Sequence, residues 1–293
     1  MDSHDNPQKC NGGLRVLCEY FSCIITRDLN VHWLKQNPMN HEAIIESTKL
    51  DDKKLQDRDF IRIEINPKGP HITRNQDDWT LKIDDERTLP EWYEKNVAKA
   101  TKACWKAWTE SVKINLLLND ESVTVTDTFL KLHDSSSAEL HDSSRAVLYD
   151  SSRALLCGSS RAVLHDSSSA ELCGSSSAEL YDSSRALLCG SSSAELHDSS
   201  RAVLHDSSRA VLYDSSRAVL HDSSSAELHD SSRALLCGSS SAELHDSSSA
   251  ELRGSSRAEL KGRLATAIKD DTIYVHPDAK ILKQNAVGYP KEA

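Results

Sequence analysis

The chain has 293 residues, is 38% hydrophobic, contains only three phenylalanines but five tryptophans, and carries a formal net charge of −10. Ten Arg against eleven Asp and eight Glu give −9 for residues 133–260, leaving −1 for everything else. That acidity argues against a general nucleic-acid or anionic-membrane binder, and no apolar run is long enough to span a bilayer.

Residues 1–13 are polar, lack the apolar stretch of a signal peptide, and read as a disordered tail. The eight cysteines show none of the paired Cys-x-x-Cys spacings of zinc sites, so a reduced, cytoplasmic setting is the expectation. Residues 14–115 hold all five tryptophans and read as an α+β domain large enough for its own core. Leu14–Thr26 is rich in β-formers, with Val31–Leu34 as a hairpin partner. Asn40 is placed to cap a short helix over His41–Thr48. Phe60–Ile65 alternates apolar and charged residues, the pattern of a half-buried strand, and Pro67 and Gly69 close it. Trp79–Ile83 is a further short strand. Thr88-Leu-Pro-Glu91 has the form of a capping box with an early proline, opening one helix to about Val112. Along it Trp92, Val97, Ala100, Cys104, Trp108 and Val112 recur at helical spacing.

A catalytic site in this domain would draw on His32, His41 and His71 with Asp51, Asp52, Asp77 and Asp78. No His-Glu-x-x-His, phosphate loop, nucleophile elbow or paired-carboxylate signature accompanies them. Cys18 and Cys23 flank a strand-like segment and read as core residues rather than nucleophiles. The Asp pairs read as solvated loop charges. Catalysis, cofactors and a metal centre are therefore not expected.

Residues 116–132 lead in with degenerate repeats, and from His133 to Leu260 sixteen eight-residue units follow without a gap. Each reads His/Tyr/Cys (Arg253 once), Asp or Gly, Ser, Ser, Ser or Arg, Ala, Glu/Val/Leu and Leu. A fixed period of this kind marks a solenoid. Gly158, Gly174, Gly190, Gly238 and Gly254 differ by multiples of sixteen, as do Cys157, Cys173, Cys189 and Cys237, while Tyr149, Tyr181 and Tyr213 fall in the alternate octads. Two octads per coil is the reading; a triangular coil of three would scatter the cysteines over all sides. The fourth, sixth and eighth places (Ser, Ala, Leu) point inward and the fifth and seventh outward, as the pleat of a strand requires. Asp or Gly at the second place suits a tight corner. Eight coils at about 4.8 Å each make a rod of roughly 40 Å. Beyond it, residues 261–293 provide a short β cap from Thr272–Val275 and Ala279–Leu282, then a tail at Lys291–Ala293.

Three columns of the rod could carry chemistry. Cys157, Cys173 and Cys189 would stand on consecutive coils within disulfide range, although a row of small thiols is the simpler reading. Eight histidines occupy first places and could hold a transition metal, but Tyr, Cys and Arg253 interrupt them. On the odd face, counting octads from His133, Arg185, Arg201, Arg217 and Arg233 would stack beside Leu187, Val203, Val219 and Leu235. An exposed stripe of guanidinium and aliphatic groups marks an interface. The even face has no such run.

A sixteen-residue coil of two octads, Ser-rich and with Tyr in one octad only, resembles the repeat region of bacterial ice-nucleation proteins. The resemblance covers residues 133–260 and implies a β-solenoid; the outward rows are Arg-x-Val and Ser-x-Glu instead of Thr-x-Thr, which puts ice activity in doubt. Separately, Asp59–Pro67, Asp78–Ile83 and Thr88–Trp92 resemble small uncharacterised modules that precede repeat tracts in phage and gut-bacterial proteins. Together these readings give an α+β N-terminal domain capping an all-β solenoid, in a non-enzymatic structural or interaction protein, phage or mobile-element origin included. Its expected partner is a second copy through the odd face, or another protein. The alternatives are an acidic DNA mimic, by analogy with pentapeptide-repeat rods, and a metal-binding ladder; an enzyme in the N-terminal domain comes third.

Overall fold

The computed structural model describes residues 20–35, 40–50, 59–69, 72–84 and 88–269, and the backbone of 272–275 and 286–288. The expectations for residues 1–13, for Leu14–Glu19 with Cys18, for Asp51, Asp52 and His71, and for Ala279–Leu282 and Lys291–Ala293 lie outside the described residues. The chain divides into two compact units, Met1–Val112 and Lys113–Ala293.

In the first unit β1 (Phe21–Thr26), β2 (Val31–His32), β3 (Phe60–Pro67) and β4 (Trp79–Ile83) form an antiparallel sheet in the order β2-β1-β3-β4. Helix α1 (His41–Thr48) starts at Asn40, whose side chain accepts the Ala43 N–H as the sequence predicts. Ile44 of α1 packs with Ile24 and Phe60 on one face of the sheet. On the other lie Cys23, Ile63 and Ile65, and Trp79 meets Trp108 edge-on at 5.1 Å. Because β3 is covered on both faces, Glu64 is buried rather than solvated, which corrects the half-exposed strand that the alternation suggests. The helix also begins later than the Thr88–Glu91 pattern predicts. Pro90 sits at the cap itself, extended and without a side-chain acceptor, instead of inside the first turn. The single long helix is in fact two, α2 (Glu91–Glu94) and α3 (Val97–Asn115), separated at Lys95 and Asn96.

The second unit is a parallel β-solenoid with two octads per coil. Strands sixteen residues apart pair in register, Ala138 with Ala154 and Leu140 with Leu156, and so on along the rod. The odd octads build a sheet of twelve strands and the even octads one of ten. The three-sided coil is ruled out by this pairing. Two strands of the larger sheet belong to the C-terminal cap, so each side stacks ten strands, about ten turns in all. The eight turns expected from intact octads gain two because Ser122–Thr126 and Phe129–Leu132 are true coil strands and Thr266–Lys269 closes the far end.

Each octad place has a mechanical duty. The eighth-place Leu is wholly buried from Leu140 to Leu244, and the sixth-place Ala nearly so. The fourth-place Ser is buried too, and its Oγ generally donates to the first-place carbonyl of the same octad, as Ser200 does to His197 at 2.6 Å. The second-place residue turns the chain with a left-handed backbone: φ is 49° to 59° at the repeat Asp positions and 68° to 72° at the Gly positions. Only Gly, Asn and Asp enter this region readily. At the C-terminal end Thr272–Val275 pairs antiparallel with Thr266–Lys269, and Ala286–Gly288 adds a strand beyond it, so the open edge of the odd sheet is covered.

Candidate functional site

On the outer face of the odd sheet the predicted stripe assembles in register. Arg185 lies opposite Arg201, Arg201 opposite Arg217, and Arg217 opposite Arg233, with Leu187, Val203, Val219 and Leu235 in the parallel row. The four Arg side chains are exposed and the four aliphatic ones half-buried. A shallow trough on the same face, floored by Ala138, Ala154, Ala170 and Ala186, runs past Arg153, Leu155 and Glu171 and ends at Arg185 and Leu187, the first coil of the stripe. Long guanidinium side chains flanking a low aliphatic floor can cover apolar surface with their stems while presenting charge at their tips.

The corners are more ordered than the sequence reading allowed. Sorted by octad parity, the first-place residues of the odd corner are all aromatic. His133, Tyr149, His165, Tyr181, His197, Tyr213, His229 and His245 stack ring on ring, with centroids 4.6–5.2 Å apart and planes within 14°. The non-aromatic interruptions of the His column belong to the even corner alone, where Cys157, Cys173, Cys189, Cys237 and Arg253 stand. His205 and His221 stack there as a separate pair at 4.8 Å. Parity sorting was the signal that could have revealed the ladder. Burial lowers the pKa of His133. Tyr181 is pushed up to about 12 by burial and by Glu179, whose carboxylate accepts its hydroxyl at 3.2 Å.

Beside the rings runs a row of carboxylates, Asp134 to Asp246, one per coil. Each Asp Oδ2 from Asp150 onward accepts the backbone N–H of the Asp one coil before, for example Asp198 from Asp182 at 3.2 Å and Asp214 from Asp198 at 3.2 Å. The even corner has Asp only at Asp142, Asp206 and Asp222, so its row is broken by glycine. Cys157, Cys173, Cys189 and Cys237 are free thiols; burial, then neighbouring Cys173, raises the pKa of Cys157 and Cys189. That disfavours the reactive thiolate.

In the N-terminal unit His41 is buried, its Nε2 against the Ile63 carbonyl at 3.1 Å and its Nδ1 3.4 Å from Asp84 Oδ2. Burial lowers its pKa. His32 is half-buried on β2, and Asp78 accepts the Thr73 hydroxyl in a turn. The structure thus does not bring His32, Asp77 and Asp78 together with His41. Cys23 is buried against Cys104, which with burial raises its pKa. Among the described residues no helix is long and apolar enough to cross a membrane. No protein-family model, curated protein or solved structure matches the chain.

Proposed function

We propose that this is a non-enzymatic scaffold whose solenoid acts as a rigid interaction surface, and that the odd face, centred on Arg201, Val203, Arg217 and Val219, binds a second copy of the chain. The carrying observation is the uninterrupted register of the Arg and aliphatic rows over four coils. A two-fold axis parallel to the rod would set the Arg row of one copy on the Leu/Val row of the other, stems over methyl groups. A perpendicular two-fold would oppose Arg to Arg and be repelled. Free thiols and a soluble-type composition support a cytoplasmic setting.

Sedimentation velocity on the wild type and on an Arg201→Glu, Arg217→Glu double variant tests this. The expected result is a dimer that becomes an elongated monomer in the variant. A monomer in both cases sinks the self-association reading and leaves a foreign protein as the occupant.

One observation favours a second reading, the acidic DNA mimic: the unbroken Asp row of the odd corner. It is the weaker one, because the row is single and straight, and its carboxylates are already engaged by backbone N–H groups. Competition of the rod with duplex DNA for a basic DNA-binding protein would support it. Ice binding, which the coil resemblance suggests, lacks outward Thr rows. An absence of thermal hysteresis or ice nucleation is expected.

A further inference from the structure

The odd-corner ladder alternates His and Tyr from His133 to His229 and then breaks step: His245 stands where a Tyr would continue the alternation. Two residues before each of these last two histidines is a glutamate, Glu227 and Glu243, on paired strands of the even sheet. Glu-Leu-His also occurs at 139–141 and 195–197, but only here on consecutive coils at one corner.

The rings of His229 and His245 stack 4.7 Å apart with 14° between their planes. Both Nε2 atoms therefore face one carboxylate: Glu227 Oε1 is 2.9 Å from Nε2 of His229 and 3.5 Å from Nε2 of His245. The three ligand atoms lie within 4.8 Å of one another. Nε2 of His245 is buried and makes no hydrogen bond, so it has lost its water without replacement. Around the three, Glu243 Oε2 stands 3.9 Å from the same nitrogen and is held by Lys261, while Asp246 Oδ2 faces Nδ1 of His229 at 3.9 Å.

We propose that Glu227, His229 and His245 bind a divalent transition-metal ion of the zinc type. Two neutral imidazoles and one carboxylate are a donor set that suits zinc, at bonds of about 2.0–2.2 Å, far better than calcium or magnesium. A tetrahedral ion with such bonds separates its ligand atoms by roughly 3.3 Å. The two carboxylate–imidazole separations, 2.9 and 3.5 Å, bracket that value. Coordination would use the lone pair of His245 that the fold leaves idle, and the Asp246 carboxylate would orient His229 from behind. The three side chains remain a quarter to a half exposed, which gives the ion an entry path.

The test is zinc titration by calorimetry on three full-length proteins: wild type, His245→Tyr and His165→Tyr. Tyr at either place preserves the stacking pattern already present in the ladder, and circular dichroism without metal checks the fold. Zinc held elsewhere, for instance by the Cys157–Cys189 row, is common to all three and cancels. The proposal expects His245→Tyr to lose one equivalent of zinc, or at least tenfold in affinity for it, while His165→Tyr binds as the wild type does. Glu227→Gln should weaken the same equivalent. Unchanged binding in His245→Tyr, or an equal loss in His165→Tyr, overturns it.

Discussion

At the scale of single residues, the octad separates those that fill from those that turn. Leu204 is fully enclosed in the middle of the rod, and its truncation leaves a cavity that neighbouring coils cannot close. Leu204→Ala should cost about 2–5 kcal/mol. Ser200→Ala removes only the hydroxyl bond to the His197 carbonyl, which still accepts the Ser200 N–H. Its cost should be nearer 1 kcal/mol. Urea denaturation of the two variants checks the order, and equal losses would mean that the Ser row holds the corner together. The Asp corner has a further duality. Asp198→Ala removes both the left-handed tolerance and the bond to Asp182 N–H, so it should destabilise. Asp198→Asn keeps both and relieves like-charge repulsion along the row, so it should be neutral or stabilising. In the other unit, burial lowers the pKa of His41 in the folded state relative to its ordinary 6.5. The unfolded chain then binds the proton more tightly, so stability is full above pH 6.5 and is lost as pH falls toward the folded pKa. All five tryptophans lie in residues 33–108, so tryptophan fluorescence reports this unit. Denaturation at pH 7 and pH 5.5 should show the loss in the wild type and a flatter profile in His41→Gln.

At the scale of elements, what could be read in the chain depended on whether the signal was periodic. Coil length, inward Ser, Ala and Leu, the Asp and Gly corners and the Arg–Leu/Val rows all follow from phase, and the structure carries each of them. The break between α2 and α3 did not, because a pattern of apolar residues continues across Lys95 and Asn96 even where the backbone does not. The burial of Glu64 was equally hidden: alternation along β3 says nothing of α1 folding over its polar face. The proposed Glu227–His229–His245 site was legible only after parity sorting, since a single His column mixes the two corners of each coil, one aromatic throughout and the other mixed with Cys and Arg. The aromatic ladder makes its own prediction. Tyr213 stacks on His197 at 4.9 Å and on His229 at 5.1 Å. Tyr213→Ala should lose both contacts, about 1–3 kcal/mol, whereas Tyr213→His preserves them and should cost well under half as much. Chemical denaturation that ranks the two alike would show the stacking to be a by-product of coil spacing rather than a source of stability.

At the scale of the whole solenoid, stability is a sum over coils that touch only their neighbours. The true unit of that sum is sixteen residues, because the two octads of a coil differ in corner, face and cap. Deleting residues 197–212 removes one full coil and joins Leu196 to Tyr213, keeping every downstream strand on its own sheet. The odd corner stays aromatic across the junction, with Tyr181 followed by Tyr213, and the Asp row stays continuous from Asp182 to Asp214. Such a variant should fold, lose only one neighbour interface, and shorten the rod by about 4.8 Å. Deleting residues 197–204 removes a single octad and exchanges the two sheets for everything beyond it. Tyr181 would then be followed by His205, His221, Cys237 and Arg253, ending the ring stack, and the Asp row would meet glycine at Gly238 and Gly254. The Arg stripe would run only from Arg185 to Arg209 before meeting Ser225, and the C-terminal cap would close the wrong sheet. The half-coil deletion, though it removes fewer residues, should therefore unfold at a lower denaturant concentration than the full-coil deletion and fail to dimerise. If the two deletions were equally stable, odd and even octads would be mechanically equivalent, and the sixteen-residue phase would record only how the tract was duplicated.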